Sequence, residues 1–148
     1  YIPKDNRYSY QYVVKLIDRL YRNQQVKVLV VDDSVVSRKF VRMLLEHHLF
    51  QVIEANDGEA ALAILEQEDD IQLLITDYNM PVMDGYTAVR EIRKQPQLQD
   101  LPVIAMTANA MKGDQHKCIN AGMDDYISKP FKREGLIQTL EKWLPLNE

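Results

Sequence analysis

Five side chains suited to phosphate or metal chemistry are spread along this chain, each in or directly after a short apolar run. They are Asp32, Asp33, Asp77, Thr107 and Lys129. The stretch "LLITDYNMP" shows the pattern most clearly, because four apolar or β-branched residues run directly into Asp77. A carboxylate beside a core costs free energy unless it is paired or coordinated. We therefore expect the fold to place a cation opposite Asp77.

Gathered together, these residue types would suit phosphoryl transfer to a carboxylate. Like charges repel by about 4 kcal/mol per pair at 4 Å in an effective dielectric of 20, so three clustered carboxylates need a cation among them. Mg²⁺ prefers carboxylate oxygens and water, and it leaves positions open for phosphate oxygens. Asp32 and Asp33 resemble a metal-binding pair, and the backbone carbonyl of Asn79 would complete the coordination. The solitary Asp77 is the natural nucleophile, with the lysine neutralising phosphoryl charge and the threonine donating a hydrogen bond.

Apolar periodicity predicts the elements that position these residues. Short runs rich in Val, Ile and Leu indicate strands buried on both faces, and helical spacing between and after the runs indicates helices. The predicted strands lie within 26–34, 50–55, 72–77, 101–108 and 125–128. The predicted helices begin after the caps Ser34 and Asp57 and cover 35 to about 48, 58–65, 86–94, about 112–121 and 131–144. The first of them carries the apolar residues Val35, Phe40, Val41, Leu44 and Leu45.

This alternation of strands and helices implies right-handed crossovers and a parallel sheet with helices on both faces. In such a sheet the functional crevice lies outside the carboxyl ends of the strands. All five candidate side chains end or follow a predicted strand. We therefore expect three carboxylates, one hydroxyl and one ammonium to converge at a single edge.

The composition agrees with one globular domain. The chain has 148 residues, of which 46% are hydrophobic and 27% are charged, enough to build a substantial core. A net charge of −4 argues against nucleic acid as a partner, and no apolar run reaches the length of a membrane span. The single cysteine, Cys118, excludes an internal disulfide. It suits a reducing compartment, so we expect a cytoplasmic protein.

Four stretches together resemble the receiver domain of two-component response regulators. They are "VLVVDDS", "LLITDYNMPVMDG", "VIAMTANA" and "DYISKPF", and the similarity extends over about residues 26–144. The resemblance implies a flavodoxin-like α/β fold, doubly wound, with a five-stranded parallel sheet in the order 2-1-3-4-5 and five helices. It also implies a Mg²⁺-dependent signalling switch in a bacterial phosphorelay, rather than an enzyme acting on a separate substrate.

The same resemblance implies a role for each candidate residue. Asp77 accepts a phosphoryl group from a phosphohistidine on a histidine kinase or a histidine phosphotransfer protein. Asp32 and Asp33 hold Mg²⁺ together with Asp77 and the carbonyl of Asn79. Lys129 pairs with the phosphoryl oxygens.

Two further residues would couple phosphorylation to a change of shape. By the resemblance, Thr107 moves toward the phosphoryl group, and Tyr126 is the switch aromatic that turns inward behind it. The surface formed by the fourth receiver helix (about 112–121), the fifth strand and the last helix then changes for a partner. The bond between Lys129 and Pro130 is expected to be cis, which only an X-Pro bond adopts cheaply.

Other readings share parts of the pattern. A P-loop NTPase needs G-x-x-x-x-G-K-[ST], which is absent from the sequence. An aspartyl-phosphate phosphatase or mutase resembles D-x-D after its first strand, whereas Asp32 and Asp33 are adjacent. A receiver that serves only as a non-phosphorylated interaction module would lack an acid or the lysine, and Tyr126 can be simple core. The three histidines are expected at solvated helix ends and not as phosphodonors; they are His47, His48 and His116.

Residues 1–25 lie outside the similarity, so we divide the chain into an N-terminal extension and a receiver domain over 26–148. The extension repeats the end of the receiver: "YIPKDNRYSYQYVVKLIDRLYRN" and "YISKPFKREGLIQTLEKWLPLN" both open Tyr-Ile-x-Lys. Their apolar residues then follow one pattern, with Val13, Val14, Ile17, Leu20 and Tyr21 matching Leu136, Ile137, Leu140, Trp143 and Leu144.

We predict a helix from about Ser9 to Asn23 and interpret the extension as the tail of a preceding receiver domain. A private N-terminal helix is the alternative. The apolar stripe should bury itself on this domain or on a second copy of the chain, which would make a homodimer. We expect the output domain, a kinase or a nucleotide cyclase for example, elsewhere in a longer parent protein or in another chain.

Overall fold

The five strands of the computed structural model form one parallel sheet within residues 7–77, 85–107, 119–129 and 131–144, which the structure describes. They are β1 (Lys27–Val31), β2 (Gln51–Ala55), β3 (Ile71–Asp77), β4 (Val103–Thr107) and β5 (Asp125–Ser128). Their order across the sheet is β2-β1-β3-β4-β5, with every neighbouring pair parallel. The predicted fold class and strand order are confirmed.

Helices connect and flank these strands. Within the same ranges they are α1 (Arg7–Asn23), α2 (Val35–His47), α3 (Gly58–Gln67), α4 (Gly85–Arg93) and α5 (Arg133–Trp143), with a short 3₁₀ helix at Pro96–Leu98. The helix predicted over about 112–121 falls largely outside the described residues, although 119–120 are helical. In the described part of the chain, no helix is long and apolar enough to cross a membrane.

Two apolar layers hold the sheet between helices. Alternate residues of β1 point to opposite faces, so Val28 and Val30 pack with α2 and α5, while Leu29 and Val31 pack with α3 and α4. Strand β4 is buried along its whole length. Polar side chains are therefore tolerated mainly where the strands end, which is where the candidate site lies.

Both predicted helix caps are present. The hydroxyl of Ser34 accepts the backbone N–H of Ser37 at 3.2 Å, and a carboxylate oxygen of Asp57 accepts the N–H of Ala60 at 2.8 Å. Each cap satisfies a backbone donor that the first helical turn leaves free. Ser34 therefore starts α2 directly after the two acids that follow β1.

Leu49 ends the turn after α2 in a left-handed conformation, with φ of 71°. Its N–H donates to the carbonyl of Glu46, and the N–H of Phe50 donates to the carbonyl of Leu45, which closes the helix end. Glycine is the usual residue here, since a side chain adds strain in this conformation. The strained turn delivers Phe50 into the core at the start of β2.

Arg93, the last residue of α4, joins the two loops that precede β4 and β5. Its guanidinium donates to the carbonyls of Gly122, Leu98 and Gln99 at 2.9–3.0 Å and to a carboxylate oxygen of Asp124 at 2.9 Å. The same oxygen of Asp124 accepts the N–H at the start of β4. The side chain thus fixes the turns that precede β4 and β5 at the edge of the sheet opposite the candidate site.

A second ionic cluster lies beside the candidate site and was not predicted. Glu54 of β2 forms ion pairs with Arg38, Lys39 and Arg42, which lie along one face of α2. Arg38 also donates to the backbone carbonyl of Asp32 at 2.8 Å. The sequence held a signal for this cluster, because the basic residues recur at helical spacing in α2 and the following strand carries an acid.

This cluster makes stability depend on pH. Burial alone would raise the pKa of Glu54, but hydrogen bonds from Lys39, Arg42 and Arg38 lower it to about 2. A free glutamate titrates at about 4.3, so this group stabilises the fold above that pH, and the stabilisation is lost as pH falls through the folded value.

We expect Glu54→Gln to lower the free energy of unfolding at pH 7 by about 2 kcal/mol, with the deficit shrinking between pH 4 and 2. Urea melts across this range check the prediction, with Glu46→Gln as the control, because Glu46 is more exposed and, among the described residues, forms an ion pair with Arg42 alone. A deficit that stays constant with pH would contradict it.

Candidate phosphoacceptor and metal site

Sheet order and register bring the predicted residues to one edge. Strands β1 and β3 are neighbours, and Val31 of β1 pairs with Thr76 of β3. The next residues, Asp32 and Asp77, therefore lie side by side at the ends of the two strands. Strand β4 continues the edge with Thr107, which lies opposite Ser128 of β5, one residue before Lys129. Residues distant in sequence thus meet because parallel strands end together.

The three acids form one cluster of carboxylates. One oxygen from each of Asp32, Asp33 and Asp77 lies within 4.8 Å of the other two. Asp32 is fully buried and Asp77 is 9% exposed, while Asp33 faces solvent. The N–H of Ser34 donates to one oxygen of Asp32 at 2.9 Å, which orients that carboxylate and leaves its other oxygen for the cluster.

Lys129 joins this cluster from the opposite side of the crevice. Its ammonium nitrogen lies 3.3 Å from Oδ2 of Asp32 and 3.3 Å from Oδ1 of Asp77. The backbone N–H of the same lysine donates to the carbonyl of Thr107 at 2.7 Å, which ties the end of β5 to the end of β4. The cation expected opposite Asp77 is therefore present, and its backbone is held by the sheet.

One lysine does not balance the negative charge. Burial raises the pKa of Asp77; the charge of Lys129 opposes that rise, and the neighbouring charges of Asp32 and Asp33 add to it. The net direction is upward, so the protein environment disfavours the ionised carboxylate. A further cation beside the three acids would reduce the repulsion among them and favour the ionised form of Asp77.

The donor set fits Mg²⁺. The cluster offers oxygen ligands only, which suits a hard divalent cation, and Asp33 opens it to solvent so that waters or phosphate oxygens can complete an octahedron. The predicted ligand at the carbonyl of Asn79 and the predicted cis bond at Pro130 both lie outside the described residues.

Two more predicted residues lie next to this edge. Thr107 is buried at the end of β4, and Tyr126 is half-buried, opposite Ala105, and packs against the apolar layer beneath α3 and α4. The structure brings Thr107 to the acids and lysine through the backbone contact with Lys129. Tyr126 is three residues further back along β5 and does not line the acidic cluster.

The predicted solvated helix ends include two of the three histidines. His47 closes α2, and His48 caps it, its ring nitrogen lying 3.3 Å from the carbonyl of Leu44. His116, like Cys118, lies outside the described residues.

Comparison with known proteins identifies the family. The model of the response regulator receiver domain matches residues 28–141. The chain belongs to this family. It is a receiver domain of the kind found in two-component response regulators and hybrid histidine kinases. Family membership favours a signalling switch over the phosphatase-like alternative.

Relatives and solved structures agree with this membership. A two-component response regulator of Oryza sativa subsp. japonica is 39% identical over 105 residues, which are 71% of this chain and 87% of the relative. A structure of a probable response regulator/GGDEF domain protein aligns with a TM-score of 0.86 at 40% identity, covering 100% of this chain and 61% of that one.

Two further structures show such domains with a metal or a partner. The receiver domain of a sensor histidine kinase from Pseudomonas aeruginosa, which has magnesium in its active-site cleft, aligns with a TM-score of 0.74 at 38% identity, over 80% of this chain and 96% of that one. A Saccharomyces cerevisiae receiver domain, solved with its histidine phosphotransfer protein, aligns with a TM-score of 0.73 at 25% identity, over 80% of this chain and 88% of that one.

Proposed function

We propose that this receiver domain is a Mg²⁺-dependent phosphoacceptor switch in which Asp77 takes a phosphoryl group from a phosphohistidine of a partner protein. The observation that carries the proposal is the position of Lys129, whose ammonium lies 3.3 Å from both Asp77 and Asp32. A lysine in this position can pair with the free carboxylate of Asp77 and, after phosphorylation, with the phosphoryl group on that carboxylate. Asp77 is also the acid nearest the middle of the sheet edge, on the central strand β3.

The chemical step forms one bond and breaks another. A carboxylate oxygen of Asp77 attacks phosphorus while the bond from phosphorus to the partner's imidazole nitrogen breaks. The electron pair of that bond stays on the imidazole, which leaves neutral because its other ring nitrogen carries a proton. Lys129 then moves its hydrogen bond from the carboxylate to a phosphoryl oxygen, and the product is an aspartyl phosphate.

Asp32, Asp33 and Asp77 would hold the metal, with the carbonyl of Asn79 as a fourth protein ligand. When bound, Mg²⁺ supplies positive charge that screens the carboxylates and the phosphoryl oxygens from one another. The N–H of Ser34 keeps Asp32 aimed at the cluster. The buried side of the site, formed by the ends of β1 and β3, limits the access of water to the new bond.

Thr107 and Tyr126 would convert this chemistry into a change of shape. The hydroxyl of Thr107 would donate to the phosphoryl group, and Tyr126 would move into the space behind it, changing the surface formed by the fourth receiver helix, β5 and α5. Inverting a 1:99 equilibrium takes about 5.5 kcal/mol. Charge-assisted hydrogen bonds contribute about 1.5–3 kcal/mol each, so bonds from Lys129 and Thr107 can supply most of this.

The phosphodonor would dock on the exposed face of α2. This helix starts at the site and presents apolar side chains to solvent, the most exposed being Val36 at 81%. Phe40 extends the face toward Lys129, since its ring packs 6.0 Å from that of Phe131. An apolar patch beside a reactive carboxylate suits a partner that must bring its own histidine to the acid. The yeast complex with a phosphotransfer protein supports this kind of partner.

The assignment of Asp77 is tested by phosphorylation with a small donor. The wild-type domain should incorporate phosphate from acetyl phosphate in Mg²⁺ and none in EDTA, and Asp77→Asn should incorporate none in either. Asp57→Asn is a matched control, because Asp57 is an acid that caps α3 and is not one of the three clustered acids. Intact mass and the lability of the product in base report the acyl phosphate. Undiminished labelling of Asp77→Asn would overturn the proposal.

The docking face is tested separately. Val36→Glu should slow transfer from a phosphohistidine protein at least tenfold, while labelling by acetyl phosphate stays unchanged, because only the protein donor needs the apolar face. Ile119→Glu serves as the control, since Ile119 is also an exposed apolar residue but does not belong to α2. Equal rates of protein-to-protein transfer in both variants would remove α2 from the interface.

The wider setting follows from the same proposal. A cytoplasmic bacterial phosphorelay would supply the histidine phosphate, and an output domain in the same or another chain would read the changed surface. The fit to a response regulator/GGDEF protein supports an output of the nucleotide-cyclase kind, and a kinase parent is the second candidate.

A further inference from the structure

Helix α1 exposes an apolar stripe that the described part of this domain does not cover. Tyr10, Val14, Ile17 and Tyr21 are between 51% and 71% exposed, and they recur at helical spacing along one side. A contiguous apolar face of this kind on an exposed helix marks a contact that lies elsewhere.

The carboxyl end of α1 is fixed, so the stripe cannot simply turn onto the domain. Asn23 is buried, and its side-chain amide donates to the carbonyl of His48 at 2.8 Å. Its own carbonyl accepts the N–H of Val26 at 3.0 Å, which leads the chain directly into β1. Arg19 adds an ion pair at 3.0 Å to Glu141 of α5. These contacts set the direction of the helix with its stripe facing away.

The end of the same chain shows what such a stripe packs against. Positions Val13, Val14, Ile17, Leu20 and Tyr21 have the spacing of Leu136, Ile137, Leu140, Trp143 and Leu144 in and just after α5. Of these, Leu136, Ile137 and Leu140 in α5 and Leu144 just after it are buried in the core layer against the parallel sheet. Ile17 is 61% exposed, while its counterpart Leu140 is fully buried. The Tyr-Ile-x-Lys that opens both segments belongs to strand β5 and the residue after it in the second copy.

The extension is also shared with larger proteins. Two response regulator/GGDEF structures align over 100% and 97% of this chain, so the similarity includes α1, and each of those chains is longer than the aligned part.

We infer that α1 is the last helix of another receiver-type domain that precedes this one in the same polypeptide, and that the parallel sheet of that domain covers the stripe. In sequence, Tyr1 and Ile2 match Tyr126 and Ile127, and Asp5 stands where Pro130 stands here. The preceding domain therefore departs from the pattern beside its lysine. Because Asn23 and Arg19 attach the end of α1 to this domain, the two receivers share this helix. This inference does not depend on the phosphorylation of Asp77.

The test compares Ile17→Asp with Lys15→Asp in the full-length polypeptide and in the 148-residue chain. Lys15 is exposed on the same helix but outside the stripe. In the full-length protein, Ile17→Asp should abolish hydrogen-exchange protection upstream of residue 7, Ile17→Ala should reduce it partly, and Lys15→Asp should leave it unchanged. In the 148-residue chain, none of the three should shift the midpoint of urea unfolding, and labelling of Asp77 should be normal throughout.

Three results would overturn the inference. If the full-length sequence has no receiver-like segment before residue 1, there is no preceding domain to cover the stripe. If Ile17→Asp disrupts a concentration-dependent oligomer but leaves hydrogen-exchange protection upstream of residue 7 intact, the stripe binds a second copy of the chain. A lower unfolding midpoint of the 148-residue chain in Ile17→Asp places α1 in this domain's own core.

Discussion

Lys129→Met is expected to lower the free energy of unfolding by about 3 kcal/mol in EDTA and by much less in Mg²⁺. The lysine is the cation that the structure places between Asp32 and Asp77, both of which are largely buried. Removing one partner of a buried ion pair costs about 3–5 kcal/mol, and the partial exposure of this lysine reduces that figure. A bound divalent cation replaces the lost charge, so the deficit should close when Mg²⁺ is added.

Chemical melts of wild type, Lys129→Met and Lys94→Met in EDTA and in Mg²⁺ measure this. Lys94 is a suitable control because its ion pair with Glu91 lies on the surface, where such a pair contributes little. An equal deficit of Lys129→Met in EDTA and in Mg²⁺ would show that the lysine stabilises the fold by packing and not by balancing the acids.

Arg93→Ala should be about as damaging, with a loss of about 3–4 kcal/mol that Mg²⁺ does not restore. Four hydrogen bonds end on this guanidinium, three of them to backbone carbonyls in two loops. Each contributes about 1 kcal/mol, and the bond to the carboxylate of Asp124 contributes more. That loss is a large fraction of the 5–15 kcal/mol typical of a whole domain.

Arg93→Lys should recover little, because one ammonium cannot reach four acceptors that diverge in different directions. Arg90→Ala, on the exposed side of the same helix, should cost less than about 1 kcal/mol. Similar losses from Arg93→Ala and Arg90→Ala would mean that the network contributes nothing beyond an ordinary surface arginine.

Much of the fold and the grouping of the site could be predicted because both follow from local patterns and one general rule. Buried runs such as that ending at Asp77 identify strands, and Ser34 and Asp57 identify helix starts. Parallel topology then brings the ends of β1, β3, β4 and β5 to one edge, which is why Asp32 and Lys129 meet across most of the domain's length.

The unpredicted features depend on contacts that no local pattern records. Arg93 binds backbone carbonyls, and a carbonyl carries no sequence signal. Leu49 adopts a conformation that usually belongs to glycine, so its identity gave no indication of the turn. Val35 and Phe40 were expected among the apolar residues of α2, yet they are 57% and 43% exposed, and the buried residues of this helix are Val41, Leu44 and Leu45.

The indole of Trp143, at the end of α5, donates a hydrogen bond of 3.0 Å to the carboxylate of Asp125, the first residue of β5. This is the chain's only tryptophan, and it is 37% exposed. Its fluorescence emission therefore reports on α5 and β5, the two elements that are expected to move on activation. Its partner Asp125 directly precedes Tyr126. The indole's hydrogen bond joins the two elements directly, so a displacement of β5 against α5 that breaks this bond should change the emission without any added label.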